Sequence, residues 1–212
     1  MIFAPEYFES APFLAILRGV SPDEVLPLAD ALVEAGVRAI EVPLNSPRPF
    51  DSIFRLAETY GASVLVGAGT VLSKDDVGRV RDAGGRLIVS PNCDAQVIRE
   101  TCQQHMLSLP GVFTPTEAFA ALAAGAQAIK YFPAELGGPA AIRAWRAVLP
   151  EGISIAPTGG VTPATVKSWL TAGADILAIG SMLYKPGTTP VTAAAAARLL
   201  FAEYRSYEDE HS

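Results

Sequence analysis

The stretch Ala128-Ile129-Lys130-Tyr131-Phe132-Pro133 reads as a short buried strand interrupted by one ammonium. Alternate residues of a strand point to opposite faces, so Ile129 and Tyr131 share one face and Lys130 takes the other. An amine held in an apolar wall loses hydration, which lowers its pKa and exposes the lone pair that attacks a ketone to form a Schiff base. An isolated lysine at a strand end more commonly snorkels to water or meets a carboxylate. The reading therefore depends on what the rest of the chain places beside it.

Working outward, short apolar runs recur at 14–19, 39–44, 64–70, 87–91, 108–112, 128–133, 153–158 and 176–181, giving eight strand candidates. Between them lie helix-like segments such as 22–35, 73–83, 115–124, 138–149 and 162–172. Ser21, Ser73 and Thr162 suit their N-caps, and Gly36, Gly84, Gly125 and Gly173 suit their ends. Strict alternation of strand and helix implies a parallel sheet. Even spacing, and no Gly-x-Gly-x-x-Gly turn after the first strand, favour a closed sheet over an open doubly wound one. The expected fold is α/β, a single-domain (β/α)8 TIM barrel over residues 1–212. The alanine run 193–197 reads as the last helix, because alanine is the best helix former, and Ser206–Ser212 reads as a short frayed tail.

With 212 residues, half of them apolar, the chain can bury a sizeable core, although such barrels usually run to about 250 residues. A net charge of −6 with 16 scattered Lys and Arg argues against a nucleic-acid surface. No apolar run approaches the roughly 20 residues that span a bilayer, and the start Met1-Ile2-Phe3-Ala4-Pro5-Glu6 lacks the features of a secretion signal, so a cytoplasmic protein is expected. Cys93 and Cys102 support neither a disulfide framework nor a zinc site. Cys93, after a strand end, reads as a passive small side chain rather than a reactive thiol.

The same parity argument turns Ile40, Val42 and Leu44 outward and leaves Glu41 facing in, toward Lys130. A buried salt bridge is the structural alternative, but such pairs are costly to desolvate, which favours a reactive pair. Arg18 ends the first run with a planar cation suited to a substrate carboxylate, and Thr70 ends the third with a hydroxyl for the same group. Pro157-Thr158-Gly159-Gly160-Val161-Thr162 and Ile179-Gly180-Ser181 close the seventh and eighth candidates, where barrels commonly bind phosphate through backbone N–H groups. His105 and His211 read as solvated bystanders. With no His base and few other carboxylates at strand ends, the site is expected to use neither metal nor cofactor.

These segments resemble a known family. Ala15-Ile16-Leu17-Arg18-Gly19, Glu41-Val42-Pro43-Leu44-Asn45-Ser46-Pro47, Val66-Gly67-Ala68-Gly69-Thr70-Val71-Leu72, Val89-Ser90-Pro91-Asn92, Ala128–Pro133 and Gly159-Gly160-Val161-Thr162-Pro163 are similar to the class I aldolases that cleave 2-keto-3-deoxy-6-phosphogluconate, its galactonate epimer or 4-hydroxy-2-oxoglutarate. The likeness runs from about residue 10 to 205, and Glu-Val-Pro-Leu-Asn-Ser-Pro resembles the galactonate branch in particular. The gluconate branch typically carries an arginine where Asn45 stands, a cation that Arg18 replaces here. Thr158 departs the other way, being similar to the gluconate branch.

The resemblance implies cleavage of a phosphorylated keto-deoxy sugar acid to pyruvate and glyceraldehyde 3-phosphate. It gives Lys130 as nucleophile and Glu41 as proton carrier. Arg18 and Thr70 would hold the pyruvate carboxylate, Pro91 and Phe132 would shape its pocket, and Gly159, Gly160, Gly180 and Ser181 would receive the phosphate. It also implies a homotrimer. Two rival readings are a sugar-phosphate epimerase, which would use paired acids and often a metal, and a barrel that binds a phosphorylated ligand without turnover. Neither explains Glu41 facing Lys130.

Overall fold

Strand and helix alternate through the computed structural model, which describes residues 7, 8 and 11–211. In chain order come β1 Phe13–Ile16, α1 Val25–Glu34, β2 Ala39–Pro43, α2 Pro49–Tyr60, β3 Leu65–Gly69, α3 Lys74–Asp82, β4 Leu87–Val89, α4 Ala95–Gln103 and β5 Leu107–Leu109. They are followed by β6 Gly111–Val112, α5 Pro115–Ala123, β7 Ala128–Tyr131, α6 Gly138–Arg146, β8 Ser154–Pro157, α7 Val166–Thr171, β9 Leu177–Ile179 and α8 Pro190–His211. Helix α8 therefore takes in residues 206–211, which were expected to fray. None of the described helices is long and apolar enough to cross a membrane.

The expected closed eight-stranded barrel is corrected by the ladders. They form two parallel sheets, one ordered β5-β4-β3-β2-β1-β9 and the other β6-β7-β8. The run 108–112 divides at Pro110, whose nitrogen has no hydrogen to give a ladder, so β5 pairs with β4 while β6 pairs with β7. At the other seam, β8 and β9 are joined by an isolated bridge between Thr158 and Ala178. Even apolar spacing in a sequence reports that strands follow one another in a curved parallel array. It does not report whether each pair completes its hydrogen bonds.

The period-two pattern divides the core into two clusters. Ile40, Val42, Val66, Ala68, Ile129, Tyr131 and Ile155 pack outward with Val25, Leu28 and Leu32 of α1 and Ile53 and Leu56 of α2. The alternate residues Leu14, Ile16, Ala39, Leu65, Leu87, Leu107, Ala128 and Ala156 meet from both sheets in a second cluster. Glu41 and Lys130 have the parity of this second set, two residues beyond Ala39 and Ala128, where the apolar cluster gives way to polar side chains.

Helix starts follow local chemistry. Ser73 caps α3 by accepting from the Asp76 N–H. Thr162 and Thr165 cap one another reciprocally, but around a short 3-10 turn, Pro163–Thr165, that precedes α7. Ser21 bonds the Glu24 carboxylate, and α1 begins only at Val25. Thr114 with Glu117 forms a capping box on α5, the Ser/Thr-x-x-Glu pattern that marks a helix start.

Candidate active site

The chemistry-bearing residues gather where the strands end. Lys130 is fixed in β7 by register with Gly111 and Ala156, and its N–H donates to the Pro110 carbonyl at 2.8 Å. The residue is 5% exposed, with Nζ 4.8 Å from the centre of the Phe132 ring. Burial pushes the Lys130 pKa down and the Arg18 charge pushes it the same way, while the Glu41 charge opposes both. A larger share of free amine is thus available for attack than an exposed lysine offers.

Glu41 lies on β2 opposite Ile16 of β1 and Gly67 of β3, and it is 1% exposed. Burial raises its pKa from 4.5 to about 7, against the pull of the Lys130 and Arg18 charges. Its Oε2 is buried without a hydrogen-bond partner. No ion pair within 4 Å joins Glu41 to Lys130 among the described residues, so the stabilising salt bridge weighed above is not formed. A carboxyl with a pKa near neutrality, and an unfilled acceptor beside a desolvated amine, can both give and take a proton.

Arg18 stands exposed just past β1, and its Nη1 donates to Asn45 Oδ1 at 2.8 Å. Its contacts to Thr70 Oγ1 are longer, 3.4 and 3.5 Å, and Thr70 adopts a left-handed φ of 56°. The structure thus brings Arg18 and Thr70 together and adds Asn45, which sequence reasoning had not placed as a partner of Arg18. Three parallel strands ending side by side supply the contact, a relation with no local signature in the sequence.

A cavity of about 510 Å³ opens over these ends. Arg18, Lys130, Phe132 and Thr158 line it, as do Gly159, Gly160, Gly180 and Ser181. Glu41, Thr70 and Pro91 are not among the residues that line it. Pro91 lies two residues past β4, where Gly111 allows its backbone close: a Cβ on Gly111 would lie 2.3 Å from the Pro91 carbonyl carbon. Gly159 and Gly160 have φ of 102° and 71°, and the Glu135 carboxylate packs against Gly159, whose added Cβ would lie 1.8 Å from Oε2. Sequence reasoning missed Tyr184 and Lys185, which also line the cavity.

The remaining candidates are peripheral. His105 is exposed, and the His211 ring nitrogen bonds the Tyr207 carbonyl. Burial raises the pKa of Cys93 and Cys102, which makes both thiols less nucleophilic. Among the described residues no three His, Cys, Asp or Glu side chains converge as metal ligands would.

A buried lysine lining a glycine-bordered cavity is an arrangement suited to carbonyl chemistry. Residues 5–193 match the family described as KDPG and KHG aldolase. The chain is 50% identical over 176 residues to a probable 2-dehydro-3-deoxy-6-phosphogalactonate aldolase of Rhizobium meliloti, covering 83% of each chain. It is 44% identical to the 2-dehydro-3-deoxy-6-phosphogalactonate aldolase of Escherichia coli, covering 92% of this chain and 95% of that one. A solved structure described as native KDPGal superposes with a TM-score of 0.92 at 43% identity, covering 93% of this chain and 96% of the other. The chain belongs to the KDPG and KHG aldolase family.

Proposed function

We propose that this chain is a Schiff-base aldolase that cleaves 2-dehydro-3-deoxy-6-phosphogalactonate to pyruvate and D-glyceraldehyde 3-phosphate. The observation that carries the reading is the pairing of Lys130 and Glu41, both buried and each acting on the other's charge, one with a lowered and the other with a raised pKa, with Lys130 lining the cavity. The relatives named for the galactonate substrate support the choice of epimer.

The free amine of Lys130 attacks the substrate ketone, and Glu41, through a water, gives a proton to the carbinolamine hydroxyl, which leaves as water to form the protonated imine and leaves Glu41 as the carboxylate. Glu41, through a water, takes the proton of the carbon 4 hydroxyl. The bond between carbons 3 and 4 breaks, its electron pair moving into the imine to form an enamine, and glyceraldehyde 3-phosphate leaves. Glu41 returns the proton to carbon 3, and water releases pyruvate and regenerates the amine. Arg18 and Thr70 hold the carboxylate, Phe132 and Pro91 bound the pyruvate half, Thr158 faces carbon 4, and Gly159, Gly160, Gly180 and Ser181 receive the phosphate. The reading includes a single aldolase domain, a cytoplasmic location and a homotrimer, the last resting on family resemblance.

Borohydride reduction in the presence of pyruvate tests it. A stable adduct on Lys130, lost in Lys130→Arg because a guanidinium stays protonated, is expected by peptide mass spectrometry. An adduct on a different lysine, or an active Lys130→Arg enzyme, would overturn the assignment.

A further inference from the structure

We propose that Lys185 is the cation that recognises the substrate phosphate, which deepens the aldolase reading and rests on it. Lys185 follows Ser181 on the segment after β9, where Leu183 and Tyr184 both donate to the Gly180 carbonyl, at 2.9 and 3.1 Å. Its own backbone is closed against Thr188: the Lys185 N–H donates to Thr188 Oγ1 at 3.0 Å, and the Thr188 N–H to the Lys185 carbonyl at 2.8 Å. Pro186 and Gly187, with the glycine at φ 90°, occupy the centre of this turn in the order that a type II turn favours. Pro186 in turn docks on the turn that follows β1, so closely that a Cβ on Gly19 would lie 3.0 Å from its Cγ. The backbone is fixed on both sides, while the side chain stays exposed and lines the same cavity as Lys130.

The charges of the cavity leave one role open. Three cations line it: Arg18, Lys130 and Lys185. Arg18 is engaged with Asn45 and Thr70, and Lys130 attacks only as the neutral amine. The Glu135 carboxylate lies against Gly159 and opposes a dianion at that loop. Backbone N–H groups of Gly159, Gly160, Gly180 and Ser181 would then meet a phosphate without a counter-charge, unless Lys185 supplies it. Among the described residues its ammonium has no hydrogen bond or ion pair to give up. A compact charge on a flexible stem suits a phosphate, and its attraction is absent for an unphosphorylated sugar acid.

The test uses Lys185→Gln and Lys185→Arg in the full chain, with the phosphorylated sugar acid, its unphosphorylated analogue and inorganic phosphate. Lys185→Gln is expected to raise KM for the phosphorylated substrate about tenfold with kcat nearly unchanged, to leave the analogue's kcat/KM within about twofold, and to weaken calorimetric binding of inorganic phosphate by a similar factor. Lys185→Arg should restore most of the loss. An unchanged KM, or equal losses on both substrates, overturns the assignment. Wild-type protein that binds inorganic phosphate through Lys185 but neither cleaves the sugar acid nor traps pyruvate would overturn the aldolase reading and leave the phosphate role standing.

Discussion

The Glu41 carboxylate occupies the space that a side chain on Gly69 would fill: a Cβ built there would lie 1.4 Å from Oε2 and 2.4 Å from Cδ. The glycine at the end of β3 is therefore what leaves room for this buried carboxyl. Its φ is not in the left-handed region, so the backbone accepts alanine, and the clash falls on the movable end of one side chain. Gly69→Ala is expected to fold, expel the carboxylate and lose about two to four orders of magnitude in turnover, the range of a positioned acid-base group. Gly67→Ala is the contrast. Its Cβ would lie 2.1 Å from the backbone oxygen of Leu87, so stability should fall first. Thermal melts beside kcat separate the two, and a fully active Gly69→Ala would show that Glu41 has no need of its present position.

Glu41 also sets a pH dependence. With its pKa near 7, kcat/KM should rise with pH through neutrality as the carboxylate that accepts the hydroxyl proton forms. Glu41→Gln should lose that limb together with about two to four orders of magnitude in turnover. A variant that keeps both the limb and the rate would remove Glu41 from the mechanism.

The same shift predicts an effect on stability of known sign. Burial lifts the folded pKa from 4.5 to about 7, so the folded chain holds the proton where the unfolded chain has released it. This stabilisation is complete below pH 4.5 and is lost as pH rises through 7. Glutamine cannot ionise, so Glu41→Gln should gain on wild type across that window, by about 3 kcal/mol at most. Denaturant midpoints on either side of the window measure it. A gain that grows toward low pH would contradict the assignment.

The parity of Glu41 and Lys130 was legible because a strand has period two, and the apolar residues on either side of each fix which way the odd residue faces. Closure was not legible. Pro110 looked like part of one run, and only the missing N–H reveals that β5 and β6 belong to different ladders. Asn45 and Gly69 were visible as residues but not as partners of Arg18 and Glu41, since each contact crosses from one strand end to another. Lys185 carried no motif at all, and its position depends on a turn held by Thr188 and docked on Gly19.

The Arg18–Asn45 bond gives a test of carboxylate capture. At the exposed rim the guanidinium is held by Asn45 at 2.8 Å, with only long contacts to Thr70. Asn45→Ala frees Arg18 to sample other rotamers, so the pyruvate concentration for half-maximal borohydride trapping should rise by a few fold to about tenfold. The maximal extent of trapping should hold, because Lys130 is untouched. If the concentration dependence does not move, Arg18 does not need Asn45 to meet the carboxylate.

Thr158 bears on the choice of epimer. It follows β8 directly, buried and lining the cavity, and its hydroxyl makes only a 3.5 Å contact to the Ala156 carbonyl, so it is available to a substrate. The two sugar acids differ at the carbon 4 hydroxyl, the group whose proton Glu41 must reach through a water. A single hydrogen bond in a tolerant pocket discriminates by about 1 to 3 kcal/mol, or roughly ten to a few hundred fold, which predicts a preference for the galactonate epimer with measurable cleavage of the gluconate epimer. Valine keeps the branched shape of threonine but loses the hydroxyl. Thr158→Val should therefore raise the ratio of kcat/KM values further toward galactonate, with pyruvate trapping intact. A wild-type enzyme that prefers the gluconate epimer would refute the branch assignment, and a ratio unchanged in Thr158→Val would mean that the hydroxyl does not read carbon 4.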